Sequence, residues 1–218
     1  LPVIPILYTD EHLLVADKPA GLLTVPLHGD KEADLVARLA EQGERVIPVH
    51  RLDREVSGAV LFARDSATRE ALEGLFRARS IAKTYWALAA GRLRTPAGEW
   101  KYPILEEGAH ARISALGQRS ITRYRTLEAL PTTTALEIDL VTGRRNQIRL
   151  HAAHSGHPLI GERKYARGKD SPVRLRSRRV ALHAWKLGFP HPSTGAELLI
   201  TAPLPADLLE LLERARKG

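Results

Sequence analysis

The stretch Val49–Gly58, VHRLDREVSG, sets one carboxylate, Asp53, between Arg51 and Arg54 and shortly after His50. Taken alone it reads as a turn carrying an ordinary surface ion pair. The residues after it are more regular. Ala59–Ala63 is a continuous apolar run, as expected of a strand buried on both faces. Asp65 or Ser66 can then cap a helix through Arg79, with Thr68, Ala71, Leu72, Leu75 and Phe76 at helical spacing and Glu73 four residues before Arg77. Upstream, Ile6–Ala16 splits into two short strands about the turn Thr9-Asp10-Glu11. Leu22–Val25 continues this β layer after the turn Lys18–Gly21, and Asp34–Glu41 reads as a short helix.

Downstream, Thr84–Ala89 alternates with Tyr85, Ala87 and Ala89 on one face. The Pro- and Gly-rich stretch 92–117 reads as hairpins or an excursion. Ser120–Glu128 and Ala135–Val141 alternate as half-buried strands, and a helix is expected from about Asn146 to Ser155, closed by Gly156. Leu182–Leu187 and Glu197–Thr201 complete the strands, and Ala206–Arg216 forms a terminal helix. Hairpins with inserted helices, rather than regular alternation of strand and helix, make the fold class α+β.

Composition narrows the function classes. The 218 residues carry a formal net charge of +8 and 44% hydrophobic residues, enough to bury a sizeable core. No apolar run is long enough to span a bilayer and no signal peptide is visible, so a cytoplasmic, membrane-free protein is expected. There is no cysteine, which removes disulfides and thiolate chemistry. There is no methionine either, even at position 1, so a native start trimmed away or lying upstream is expected. Charge is concentrated between Thr142 and Val180, where eleven arginines and lysines face Glu162 and Asp170, a net +9 that leaves −1 for the rest. A basic segment of this kind is what a polyanion binder needs, although a solvated basic surface would look the same.

Phosphate loops, nucleophile elbows and zinc-protease motifs are absent from the sequence. His151, His154 and His157 recur at intervals of three, yet no carboxylate or cysteine lies close in sequence to complete a metal site among these arginines, so no metal is expected.

VHRLDREVSG resembles the HRLDxxTSG signature of the RluA-type pseudouridine synthases. Further matches come in the order of that family. ILYTDEHLLVADKPAGLLTVP spans Ile6–Pro26, and AKTYWALAAG at Ala82–Gly91 resembles the KxY strand. GRRNQIRLHAAHSGHPLIGERKY at Gly143–Tyr165 is similar to the GRTHQIRxHxxxxGHPxxGDxxY segment, and ALHAWKLGFPHP at Ala181–Pro192 to the LHA strand. The resemblance implies one catalytic domain over 1–218, whose central, mixed but mostly antiparallel sheet bends around a basic cleft. It also implies no S4-type RNA-binding domain, since only 49 residues precede His50. No cofactor is implied, and the partner is RNA, tRNA and/or ribosomal RNA, with the protein acting as a monomer.

Carried over by motif position, the catalytic residues are Asp53, Tyr85 and Arg149. A carboxylate held ionised by a guanidinium is a competent nucleophile, and Arg149 is the expected partner of Asp53. Tyr85 offers a ring face for a displaced uracil and a hydroxyl for proton transfer. Expected RNA contacts are His50, Arg51, Arg144, Arg145, Asn146, Lys164 and Arg167, and a flipped-out base is expected. The chain departs from the motifs at Val56, in place of threonine; at Arg145-Asn146, in place of threonine or serine followed by histidine; and at Glu162, in place of aspartate.

Overall fold

The computed structural model describes residues 3–26, 33–108, 110–166 and 175–218. The chain forms two compact units, one from 1–83 with 184–203 and one from 84–183 with 204–218.

The first unit is a sheet in the order β1 (Ile6–Thr9), β2 (Leu13–Lys18), β4 (Ser57–Ala63), β11 (Leu182–Pro190), with β3 (Ile47–Pro48) on β4 and β12 (Glu197–Thr201) on β11. The pairs β1/β2, β2/β4, β3/β4 and β11/β12 are antiparallel. Every residue of β4 is buried, as its unbroken apolar run predicts. Gly58 is required there, because a Cβ at this positive-φ position would lie 2.2 Å from the Ala184 carbonyl oxygen. One sheet face, with Leu13, Val15, Leu61 and Phe189, packs on Leu72 of α2 (Ser66–Ala78), backed by Leu75 and Phe76. Helix α2 begins where Asp65 accepts the Thr68 N–H at 2.8 Å, and ends at Arg79 in the left-handed conformation, φ 59°. Helix α1 (Leu35–Glu41) is capped in the same way by Asp34.

The expected strand at Leu22–Val25 is not formed. Only a single bridge, Leu23 to Asp34, occurs there. Polar groups of this segment are turned instead to the loop after β3, which carries Asp53.

In the second unit β5 (Ala82–Ala90), β10 (Thr133–Leu140), β9 (Thr122–Ala129) and β6 (Ala97–Trp100) run antiparallel in that order. Register sets Tyr85 opposite Ile138. The stretch 92–117 resolves into β6 and a separate ribbon of β7 (Ile104–Glu107) and β8 (His110–Ile113). That ribbon packs Ile104 and Ala111 on Leu150 of α3 (Gln147–His154). Helix α4 (Ala206–Lys217) buries Leu208, Leu211 and Ala215. The architecture is α+β, as the sequence predicts.

Candidate active site

Asp53 sits in a loop that is gripped on both sides through its backbone. On one side, the Thr24 hydroxyl donates to the Leu52 carbonyl at 3.0 Å and accepts the Leu52 N–H at 3.1 Å. On the other, the Arg54 carbonyl accepts the Gly21 N–H at 2.7 Å and the Lys18 ammonium at 3.3 Å. The Lys18 side chain is fully buried and also donates to the carbonyls of Leu22 and Pro19, at 2.6 and 3.0 Å. A buried ammonium needs such acceptors to offset its desolvation. Within the loop the Val56 N–H bonds the Asp53 carbonyl at 3.1 Å. Val56 is 2% exposed, so an apolar side chain here leaves no buried hydroxyl to satisfy.

Asp53 is half-buried and Arg51 is exposed. His50 is tied inward: its Nε2 accepts the Leu61 N–H at 2.9 Å, and its ring lies 5.1 Å from that of Phe76. Burial, with the Lys83 charge nearby, lowers its pKa to about 3. The ring is therefore neutral at pH 7 with its proton on Nδ1. All of these groups belong to the first unit.

Tyr85 and Arg149 belong to the second. Tyr85 is 9% exposed on β5. Arg149 lies in the first turn of α3, whose start is anchored by Gln147. The Gln147 amide accepts from the Thr142 hydroxyl (2.8 Å) and the Arg144 N–H (3.0 Å), and donates to the Ile121 carbonyl and the Thr122 hydroxyl (both 2.9 Å). All the hydrogen-bonding capacity of this buried amide is used.

Arg149 is 6% exposed, and its guanidinium meets Glu162 side-on, Nε to Oε2 at 2.6 Å and Nη2 to Oε1 at 3.0 Å. Glu162 Oε1 also accepts the N–H groups of Lys164 and Tyr165 at 2.7 and 3.1 Å. Burial alone would raise the Glu162 pKa, but Arg149 and the two amides outweigh it and hold the carboxyl below its usual value. The Tyr165 ring centroid is 5.6 Å from the Arg149 guanidinium carbon, and the Tyr165 hydroxyl accepts from the Asn146 amide at 2.7 Å. Asn146 takes the left-handed conformation, φ 53°, and makes no side-chain cap to α3. Lys164 is exposed, with its ammonium 5.3 Å from the Tyr165 ring.

Among the expected RNA contacts, Asn146 and Lys164 are thus brought to Arg149. Arg144 has a buried Nε with no partner among the described residues. The Arg145 N–H bonds Glu106 at 2.9 Å. Arg167 lies outside the described residues.

Two of the three histidines meet Tyr102, and the third meets the end of β5. His151 bonds the Tyr102 carbonyl at 2.9 Å, His154 stacks edge-on to the Tyr102 ring at 4.4 Å, and His157 bonds the Ala90 carbonyl at 3.0 Å. No group of three His, Cys, Asp or Glu able to hold a metal occurs among the described residues. None of their helices is long and apolar enough to cross a membrane. Lys18, Thr24 and Gln147 carry no signal of their own in the sequence, and Glu162 stands out there only as a departure from the motif. All four lie inside stretches that resemble the family's motifs, which was the available signal.

A sequence model described as RNA pseudouridylate synthase matches residues 12–154. The chain belongs to this family. Its members are isomerases acting on RNA, and the RluA-type resemblance of the motifs is upheld by individual relatives. The chain is 36% identical over 217 residues to "Uncharacterized RNA pseudouridine synthase YhcT" of Bacillus subtilis, covering 94% of this chain and 70% of that protein. It is 35% identical over 207 residues to "Dual-specificity RNA pseudouridine synthase RluA" of Haemophilus influenzae, covering 92% and 93%. It is also 35% identical to "Ribosomal large subunit pseudouridine synthase D" of Nitrosomonas europaea, of which it spans 65%. Among solved structures, "Human RNA Pseudouridylate Synthase Domain Containing 4" superposes with a TM-score of 0.80 over 97% of this chain at 24% identity, a likeness of fold.

Proposed function

We propose that this RNA pseudouridine synthase isomerises uridines of tRNA and/or ribosomal RNA with Asp53 as nucleophile, assisted by Tyr85 and Arg149, in one catalytic domain over 1–218. The observation that carries the assignment of Asp53 is the grip on its loop. Four bonds from Lys18, Gly21 and Thr24 hold the main chain of Leu52 and Arg54 on either side of the acid. A surface ion pair needs no such preorganisation, whereas a nucleophile does.

The reaction balances without a cofactor. The C1′–N1 glycosidic bond breaks as the Asp53 carboxylate adds to an electrophilic sugar or base carbon. The base turns, C5 bonds to C1′, the adduct with Asp53 is released, C5 loses its proton and N1 gains one. Tyr85 supplies a ring face for the displaced uracil and a hydroxyl for the C5 proton. Arg149 supplies the cation that keeps the acid ionised and oriented. Arg51, Arg144, Arg145, Asn146, Lys164 and Arg167 serve the RNA backbone and the flipped nucleotide, while His50, neutral and bonded to Leu61, supports the loop. The relative named a ribosomal large subunit synthase supports ribosomal RNA as a substrate class, and the one named a dual-specificity RNA synthase supports action on more than one RNA target.

The test is pseudouridine formation on unmodified RNA by the wild type and by Asp53→Asn and Asp53→Ala. Both variants are expected to lose all detectable product while keeping their melting temperature and RNA affinity. A fully active Asp53→Ala enzyme overturns the assignment. RNA containing 5-fluorouridine should be processed or trapped by the wild type, and release unchanged would identify a binding module instead.

A further inference from the structure

The Arg149–Glu162 pair is buried on both sides. Its side chains are 7% and 0% exposed, whereas Arg216 and Glu128, for example, are 43% and 37% exposed. Glu162 is itself immobilised. Its N–H donates to the Leu159 carbonyl at 3.0 Å and its Oε1 closes the following turn onto Lys164 and Tyr165. The preceding Gly161 has φ +83°, and a Cβ there would lie 2.0 Å from the Arg179 carbonyl oxygen, so this turn is seated where only glycine fits. Tyr165 then brings its ring to the guanidinium and is tied by its hydroxyl to Asn146, which closes a small network around one cation.

The side-on contact uses Nε and Nη2 and defines the plane of the guanidinium. Nη1 takes no part in it. An arginine side chain otherwise has several rotatable bonds and would present its charge at many positions.

We propose that Glu162 is a positioning residue of the synthase: it clamps Arg149 by the inner edge, so that the Nη1 end is presented to the reacting groups at one fixed place. This rests on the reading of Arg149 as catalytic. The substitution of glutamate for the motif's aspartate keeps the anionic clamp, with its reach matched to the turn at 161–165. Glu162 touches no substrate and acts only through Arg149.

The test is a double-mutant cycle on the single-turnover rate of pseudouridine formation, using the full chain and unmodified RNA, with RNA affinity and melting temperature measured in parallel. Glu162→Gln keeps the shape but not the charge, and a displaced guanidinium should slow the reaction by about 30–100-fold. RNA affinity should stay within about twofold of the wild type, since the contact orients the reaction rather than the backbone. In an Arg149→Lys background, where no bidentate clamp exists, the same substitution should cost less than about threefold more. Glu162→Asp, which keeps the charge at shorter reach, should lose only about 3–10-fold, and it decides the question if Glu162→Gln does not fold.

Rates within about twofold of wild type, losses that multiply in the double variant, or RNA affinity falling in step with rate would each overturn the proposal. A wild type that forms no pseudouridine on any RNA would instead overturn the function from which the proposal starts, and a wild type that is active separates the two.

Discussion

Asp17 lies on β2 opposite Ala59, on the strand face it shares with Leu13 and Val15, and its carboxyl has no hydrogen bond or ion pair among the described residues. Burial pushes its pKa from 3.8 up to about 6. A folded-state pKa above the unfolded one means that the folded chain holds the proton more tightly. Stability is then full below about pH 4 and declines as pH rises through about 6. Asp17→Asn should therefore raise the unfolding free energy at pH 7 by about 1 kcal/mol and leave it nearly unchanged at pH 4. Urea titrations at the two pH values test this, and equal gains at both would refute the burial account. Asp17 and Lys18 are adjacent and read alike in the sequence, as charged residues before a turn. The difference is that Lys18 points to the opposite face, where three carbonyls converge, and only the folded loops bring those carbonyls together. Glu162 is hidden for a related reason. Among eleven basic residues it reads as a stray acid, because its partner stands thirteen positions earlier on a different element.

At the scale of elements, α2 and β4 are legible because each carries its own period and its own boundaries: a cap at Asp65, a five-residue face at helical spacing, an unbroken apolar run. The segment Leu22–Val25 has strand-like composition but no strand, because Thr24 and the Leu22 carbonyl are committed to the Asp53 loop and to Lys18. Local propensity there yields to tertiary hydrogen bonds. The loop should respond as one piece with this segment. Lys18→Met removes the donor from three carbonyls at once and should cost about 2–4 kcal/mol in urea unfolding. It should also slow pseudouridine formation about tenfold or more by loosening the acid. A variant as stable and as active as the wild type would mean that the ammonium is dispensable.

For the molecule, the first unit is assembled from segments far apart in the chain. Leu187, Phe189, Ile200 and Ala202 join the same core as Leu13 and Leu61. His191 is bonded through Nε2 to Asp10, 181 positions away, at 2.9 Å, while its Nδ1 accepts the N–H groups of Ser193 and Thr194 at 3.2 Å. The Asp10 carboxylate also takes the N–H groups of His12 and Leu13 and the Tyr8 hydroxyl, which together hold its pKa down to about 2 against the opposing effect of burial. The unit thus closes only when β11 and β12 arrive, a high-contact-order arrangement. A chain ending at residue 183 should show no cooperative urea transition and no fixed near-ultraviolet dichroism. A sharp, wild-type-like transition would show that the N-terminal segment folds without its last strands. Long-range closure of this kind is invisible to periodicity, which reads neighbours, and emerges from sequence only through the ordered set of motif matches.

The grip on the Asp53 loop has a consequence for how such an enzyme can change. Every one of the four bonds that hold Leu52 and Arg54 ends on a backbone nitrogen or oxygen of the loop. The amino acids at 51, 54 and 55 can be exchanged without removing any of them. Descendants of this chain are thereby able to explore new contacts beside Asp53 while the main chain that carries it stays put, and a laboratory library confined to those three positions would start from an acid already held in place.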